Sequence, residues 1–169
     1  MSRCIGRIRR MQYADLDRVT DIWLQTCIRE YAFVCEHIGQ SPEQYWGSRL
    51  AGTIHAALAA DVYVFETEGQ IAGFITFRPA KEGTRDLSAK GGIRDLFVDR
   101  PFRNKGIGSD LLAVAKSFPC GFGLAVYQKK VAAIRFYERQ GFRVTKVLPP
   151  EEETRQIILT MEWEPEPRQ

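Results

Sequence analysis

The sequence predicts a single mixed α/β domain built around one sheet. Segments of period-two alternation and segments of helical spacing follow one another in the order β-α-α-β-β-β-α-β-α-β-β. The chain of 169 residues is long enough for one sizeable core and too short for two ordinary ones. The run Arg103-Asn104-Lys105-Gly106-Ile107-Gly108 falls between a strand-like and a helix-like stretch, as a βα turn does. The domain is expected over residues 1–164, with 165–169 as a frayed, proline-bearing tail.

Residues 5–11 read as the first strand. Asp15 is a candidate N-cap for a helix carrying Leu16, Val19, Ile22, Trp23 and Thr26. A second helix starts at Ser41, with Pro42 in the first helical position and Gln44 completing a capping box; Tyr45, Trp46, Leu50, Ile54 and Leu58 continue it. Residues 61–67 and 70–77 form a hairpin about Glu68-Gly69, and 81–91 is a polar loop. A strand over 92–98 leads through the glycine turn to a helix with Leu111, Leu112 and Ala115 on one face. A strand over 122–126 and a helix over 131–140 follow, the latter closed by Gly141 in a left-handed cap. Residues 143–148 and 154–163 are expected to pair as the last two strands.

Composition narrows the function. Hydrophobic residues make up 44% and charged residues 27%, the balance of a soluble globular protein. The net charge of +3, without a basic run interleaved with aromatics, gives no reason to expect nucleic acid as a partner. No apolar stretch approaches a membrane span, and the arginine-rich start has no signal-peptide core. Cys4, Cys27, Cys35 and Cys120 match no metal or redox spacing. Cys35-Glu36-His37 is too small a set for zinc, so no metal is expected, and reduced thiols suit a cytoplasmic protein.

The glycine turn invites an anion. The first N–H groups of the following helix lack intrahelical partners, the helix dipole is positive there, and Gly106 and Gly108 let a ligand reach the backbone. Arg103 and Lys105 add charge. No Gly-Lys-Ser/Thr follows, and the third glycine and distal acid of a dinucleotide fingerprint are missing. Downstream, Leu124-Ala125-Val126-Tyr127-Gln128-Lys129-Lys130 runs from a strand into a helix that ends Phe136-Tyr137-Glu138-Arg139-Gln140-Gly141-Phe142.

Together the two segments resemble the GNAT superfamily of N-acetyltransferases, whose acetyl-CoA motif is Gln/Arg-x-x-Gly-x-Gly/Ala after a Leu-x-Val strand and whose later helix ends in Phe-Tyr-Glu-x-x-Gly-Phe. The Val-Tyr-Gln-Lys run and the Ile22-Trp23-Leu24 helix are particularly similar to the small bacterial YiaC/YjaB-like branch. The resemblance implies a mostly antiparallel sheet of about seven strands flanked by four helices, with two central strands splayed apart. It implies acetyl-CoA as co-substrate and an amine as acceptor, a protein lysine or N-terminal amine first and a small-molecule amine next. A homodimer is compatible with it.

The resemblance also implies residue roles. The CoA pyrophosphate would rest on Arg103, Asn104, Lys105, Gly106, Ile107, Gly108 and Ser109, and the pantetheine arm would pair with the backbone of Leu96, Phe97 and Val98. Phe136 would pack beside the cofactor. Tyr137 is the expected general acid: a phenol of pKa about 10 suits protonation of a departing thiolate. Core packing on an amphipathic helix would also account for it. Asp95 is the candidate base, on the reading that it alternates with Ile93 and Phe97 and breaks an apolar face; a structural ion pair is the other reading.

Three positions depart from the family pattern. Ala125 and Arg94 stand where relatives often carry a glutamate, and Lys130 replaces an asparagine; Lys130 meets a CoA phosphate or is simply a surface change. The departures at Ala125 and Arg94 keep a second function open, an acyl-CoA-binding module without turnover. Glu30, Tyr31, Glu36 and His37 fall where the family builds its acceptor wall. His55 is expected on the surface, and Trp23, Trp46 and Trp163 in the core.

Overall fold

A computed structural model describes residues 4–80 and 91–165. The loop expected over 81–91 therefore lies outside the described residues except for Gly91, as does the tail beyond residue 165. The seven strands are β1 (Arg7–Arg10), β2 (Asp61–Thr67), β3 (Gln70–Arg78), β4 (Gly91–Val98), β5 (Phe122–Tyr127), β6 (Arg143–Val147) and β7 (Ile158–Trp163). The four helices are α1 (Leu16–Glu30), α2 (Pro42–Leu58), α3 (Ile107–Lys116) and α4 (Val131–Arg139). The strands form one sheet in the order β1-β2-β3-β4-β5-β7-β6, antiparallel except for β4 beside β5. No helix among the described residues is long and apolar enough to cross a membrane.

The sheet separates two cores. On one face α3 sets Ile107, Leu111, Leu112 and Ala115 against Ile75, Phe77, Phe122 and Met161, with α4 packed alongside. On the other, α1 and α2 bring Val19, Ile22, Trp23, Cys27, Tyr45 and Trp46 onto Val62, Val64 and Phe74. Burial of these side chains stabilises each by about 1.5–3 kcal/mol before the entropy of ordering them is counted.

The central irregularity of the sheet creates an opening between β4 and β5. β4 and β5 pair only at Gly91 with Phe122 and Gly92 with Gly123, then part. On its other side β4 keeps antiparallel register with β3, but the pairing jumps from Thr76–Asp95 to Phe77–Ile93 and skips Arg94. That extra residue is a β-bulge, which reverses the facing of everything beyond it. Ile93 joins the α3 core, whereas Phe97 packs with the α1 and α2 core. The expectation that Asp95 shares a face with Ile93 is thus corrected: Asp95 shares one with Phe97 and looks toward Trp23.

Local signals mostly fold as written. Ser41 Oγ accepts from the Gln44 N–H at 3.2 Å and the Gln44 side-chain oxygen accepts from the Ser41 N–H at 3.1 Å, completing the box. Gly141 closes α4 at φ +84°. Asp15 is a correction: it stands at the N-cap position of α1, but its side chain accepts from the Gln12 N–H at 2.7 Å and pairs with Arg9 at 2.6 Å, leaving α1 without a side-chain cap. The last strand begins at Ile158, because Thr154 instead bonds Glu151 at 2.6 Å in the preceding turn. α4 is held in place by Lys116, whose ammonium donates to the Gln140 carbonyl at the helix end and lies 4.8 Å from the Trp163 ring centre.

Candidate active site

Two cavities flank the opening between β4 and β5. The larger, of about 540 Å³, lies toward α3 and α4. Its floor is Leu96, Phe97 and Val98 of β4, its far end the turn from Arg103 to Ser109, and its side wall Ala133, Phe136 and Tyr137 of α4. The turn is shaped for an anion. Asn104 at φ +61° and Gly106 at φ +88° are both left-handed, a backbone pattern that directs successive N–H groups into one hollow, and α3 begins immediately after. Gly108 borders the same space: a Cβ there would stand 3.5 Å from Phe136 Cζ, in ordinary contact, so the missing side chain leaves room for a ligand rather than relieving a clash.

Of the residues expected to hold the cofactor, all line this cavity except Lys105. The Lys105 ammonium lies 5.5 Å from the Phe102 ring centre, and its carbonyl accepts from Cys4 N–H at 3.1 Å. Arg103 lines the cavity while its Nε donates to the Val98 carbonyl at 2.8 Å and its guanidinium pairs with Glu30. Lys130 is a built part of the wall, not a surface change. It bonds Glu30 at 3.0 Å and sits 4.4 Å from the Tyr31 ring centre.

The smaller cavity, of about 310 Å³, lies toward α1 and α2. Its walls are aromatic: Trp23, Tyr31, Trp46, Phe97 and Tyr127, with Tyr31 at 6.0 Å from both the Trp46 and the Tyr127 rings. Ala125 lines it with a small side chain. The single carboxylate on its wall is Asp95 among the described residues, with Arg94 Nε 3.4 Å away. Burial pushes the Asp95 carboxyl up to about 6, against the smaller downward pull of Arg94 and of a hydrogen bond from Trp23.

Tyr31, Leu96, Phe97, Ala133 and Tyr137 line both cavities, so the two meet at the opening. Tyr137 is partly buried and packs against the α3 core. Its ring packs 5.5 Å from Phe142, and burial, with the nearby charge of Asp95, raises its phenol well above the ordinary tyrosine range. It is therefore a protonated phenol at the junction. Packing and a place on the cavity wall coexist at Tyr137, whose ring packs on Phe142 while the residue lines both spaces.

Of the other residues singled out in the sequence, Tyr31 is on the wall of both cavities. Glu30 belongs to the larger cavity, not to the smaller one. Glu36 pairs with Lys129 at 3.2 Å on the surface, and exposed His37 lines neither cavity. Trp23 and Trp46 are buried as expected, yet both also form cavity wall. Cys27 was not singled out by sequence. It lines the smaller cavity, and burial raises its thiol far enough to keep it protonated.

This geometry is matched by what the chain resembles. The profile of the acetyltransferase (GNAT) domain fits residues 59–144. The peptidyl-lysine N-acetyltransferase YiaC of Escherichia coli is 30% identical over 138 residues, covering 81% of this chain and 83% of that protein. The apo form of YjaB from Escherichia coli superposes with a TM-score of 0.69 at 20% identity, over 94% of this chain and 97% of that one. YncA from Salmonella typhimurium, solved with its cofactor acetyl-CoA, superposes with a TM-score of 0.66 at 19% identity, over 95% and 94%. The splayed strands, the glycine turn before α3 and the sequence matches together place this chain in the GNAT acetyltransferase family, in the YiaC/YjaB-like branch.

Proposed function

We propose that this protein moves an acetyl group from acetyl-CoA to a primary amine, with a protein lysine or N-terminal amine favoured and a small-molecule amine next, by direct attack in a ternary complex. The meeting of the two cavities at Tyr137 is the observation that carries this reading. The larger cavity is the donor site. Its hollow of backbone N–H groups, with Arg103 and Lys130 in its walls, fits a pyrophosphate, and the β4 edge from Leu96 to Val98, parted from β5, fits an amide-bearing arm. The smaller cavity is the acceptor site. Aromatic walls and one carboxylate suit an alkylammonium, which gains from the ring faces and from Asp95. The likeness to a peptidyl-lysine acetyltransferase supports a lysine in that position.

The proposed residue roles follow from these surroundings. Asp95, held at about 6, takes the proton that an ammonium must lose before its nitrogen bonds the thioester carbon. Tyr137 gives its proton to the sulfur as the C–S bond breaks, and the nitrogen sheds its second proton to restore the phenol, leaving a neutral amide and a free thiol. A thiolate leaving inside the same enclosed space is raised by the same desolvation, so acid and leaving group stay matched. Cys27 stays a neutral thiol, which argues against an acetylated enzyme as intermediate.

The test is to incubate the protein with acetyl-CoA and a panel of lysine peptides, free N-terminal peptides and diamines. Free CoA and acetylated amine should appear in equal amounts, most with the lysine peptides. Binding of acetyl-CoA with no release for any amine would establish the non-catalytic module instead.

A further inference from the structure

The donor cavity already contains an anion of its own. Glu30, the last residue of α1, reaches two of the three cations that line this cavity, Arg139 being the third: its carboxylate pairs with the Arg103 guanidinium and, at 3.0 Å, with the Lys130 ammonium. Arg103 follows β4 and Lys130 follows β5, so one carboxylate bridges the two lips of the splay. We propose that Glu30 is an internal competitor for the CoA phosphates, occupying Arg103 and Lys130 until the cofactor displaces it, and so sets the affinity and salt dependence of cofactor binding. The inference rests on the donor-site reading above.

Each partner is placed against its own helix. Glu30 lies at the C-terminal end of α1, where the dipole disfavours a negative charge. Lys130 is the N-cap of α4, where the dipole disfavours a positive one, and it makes no side-chain cap bond. Helix propensity explains neither choice. The three-way cluster does, since the ion pairs offset both penalties while the cavity is empty. Burial pushes the Glu30 carboxyl up and the bonds from Arg103 and Lys130 pull it down further, so it is ionised throughout the neutral range. The cluster's net charge is +1 with Glu30 present and +2 without it, and an arriving phosphate meets a competing negative group at hydrogen-bond range from the cations it seeks.

Binding of CoA and of acetyl-pantetheine, which lacks the phosphates, to wild-type protein, Glu30→Gln and Glu30→Asp decides the matter. Glu30→Gln should bind CoA about 10-fold tighter at low salt, with affinity falling more steeply as salt rises, because more ions are released per phosphate contact. Acetyl-pantetheine should bind wild type and variant alike, a selectivity that a purely structural role would not produce. Glu30→Asp, which keeps the charge but shortens the reach, should lie between, and it decides alone if Glu30→Gln does not fold. CoA affinity unchanged or weakened in these variants overturns the role of Glu30. Absence of CoA binding in folded wild type overturns the donor-site reading and this inference with it.

Discussion

Asp95 and Tyr137 line one cavity from two elements, Asp95 from β4 just past the bulge and Tyr137 from α4, and the charge of the carboxylate is felt at the phenol. The pair sets a carboxyl raised to about 6 and a phenol held protonated on the wall of one cavity. Replacing Tyr137 with Phe keeps the packing against Phe142 and removes only the proton. Turnover should fall about 100-fold or more, with the Kd for CoA changed by less than about twofold. Steady-state rates beside calorimetric titration check this, and equal turnover in wild type and variant would exclude the phenol from the mechanism.

Asp95 ties pH to stability and, in the proposed mechanism, to rate. Its folded carboxyl, at about 6, lies above the ordinary 3.8, so between these values the folded protein holds a proton that the unfolded chain has released. Stability therefore falls as pH rises from about 4 to about 6 and is level above, at a cost on the order of 3 kcal/mol for the ionised group. Asp95→Asn should melt higher than wild type at pH 8 and alike at pH 4, while turnover falls about 10-fold or more and loses its rise with pH through about 6. A melting difference independent of pH would contradict the assignment of that burden to Asp95.

The two turn glycines should separate strain from ligand space. Gly106 is left-handed at φ +88°, so Gly106→Val forces a strained backbone and costs about 1–3 kcal/mol of stability. Gly108 carries no such constraint and faces Phe136 at contact distance, so Gly108→Val should melt close to wild type yet lose CoA binding at least about 10-fold. Thermal melts with and without CoA report both effects, and a Gly108→Val protein that CoA still stabilises would place the pyrophosphate elsewhere.

Tyr127 tests the acceptor wall without touching the donor side. Its ring packs 6.0 Å from Tyr31 and 5.6 Å from Phe33, and it lines only the smaller cavity of the two. Tyr127→Ala should raise KM for a lysine peptide about 5-fold or more while leaving the Kd for CoA in place. A change in CoA affinity with KM for the peptide unaltered would reverse the assignment of the cavities.

Element order, both hairpin strands, the Ser41 box and the Gly141 cap were legible because each rests on signals a few residues apart. The glycine turn before α3 was legible for the same reason. What escaped was set by longer reach or by insertion. The bulge at Arg94 adds one residue to a strand whose alternation looks regular, so Asp95 and Ile93 read as one face when they are not. Glu30 meets Arg103 and Lys130 across 73 and 100 residues of chain, and nothing near Glu30 announces either partner. Asp15 was an apt cap whose carboxylate Arg9 claims across the start of the fold.

Direct attack between two meeting cavities is the central claim, and initial rates measured while both acetyl-CoA and a lysine peptide are varied test it most directly. Double-reciprocal lines should intersect, and Cys27→Ala should leave that pattern intact. Parallel lines, with acetyl recovered on the protein and lost in Cys27→Ala, would show instead that the acetyl group passes through the enzyme.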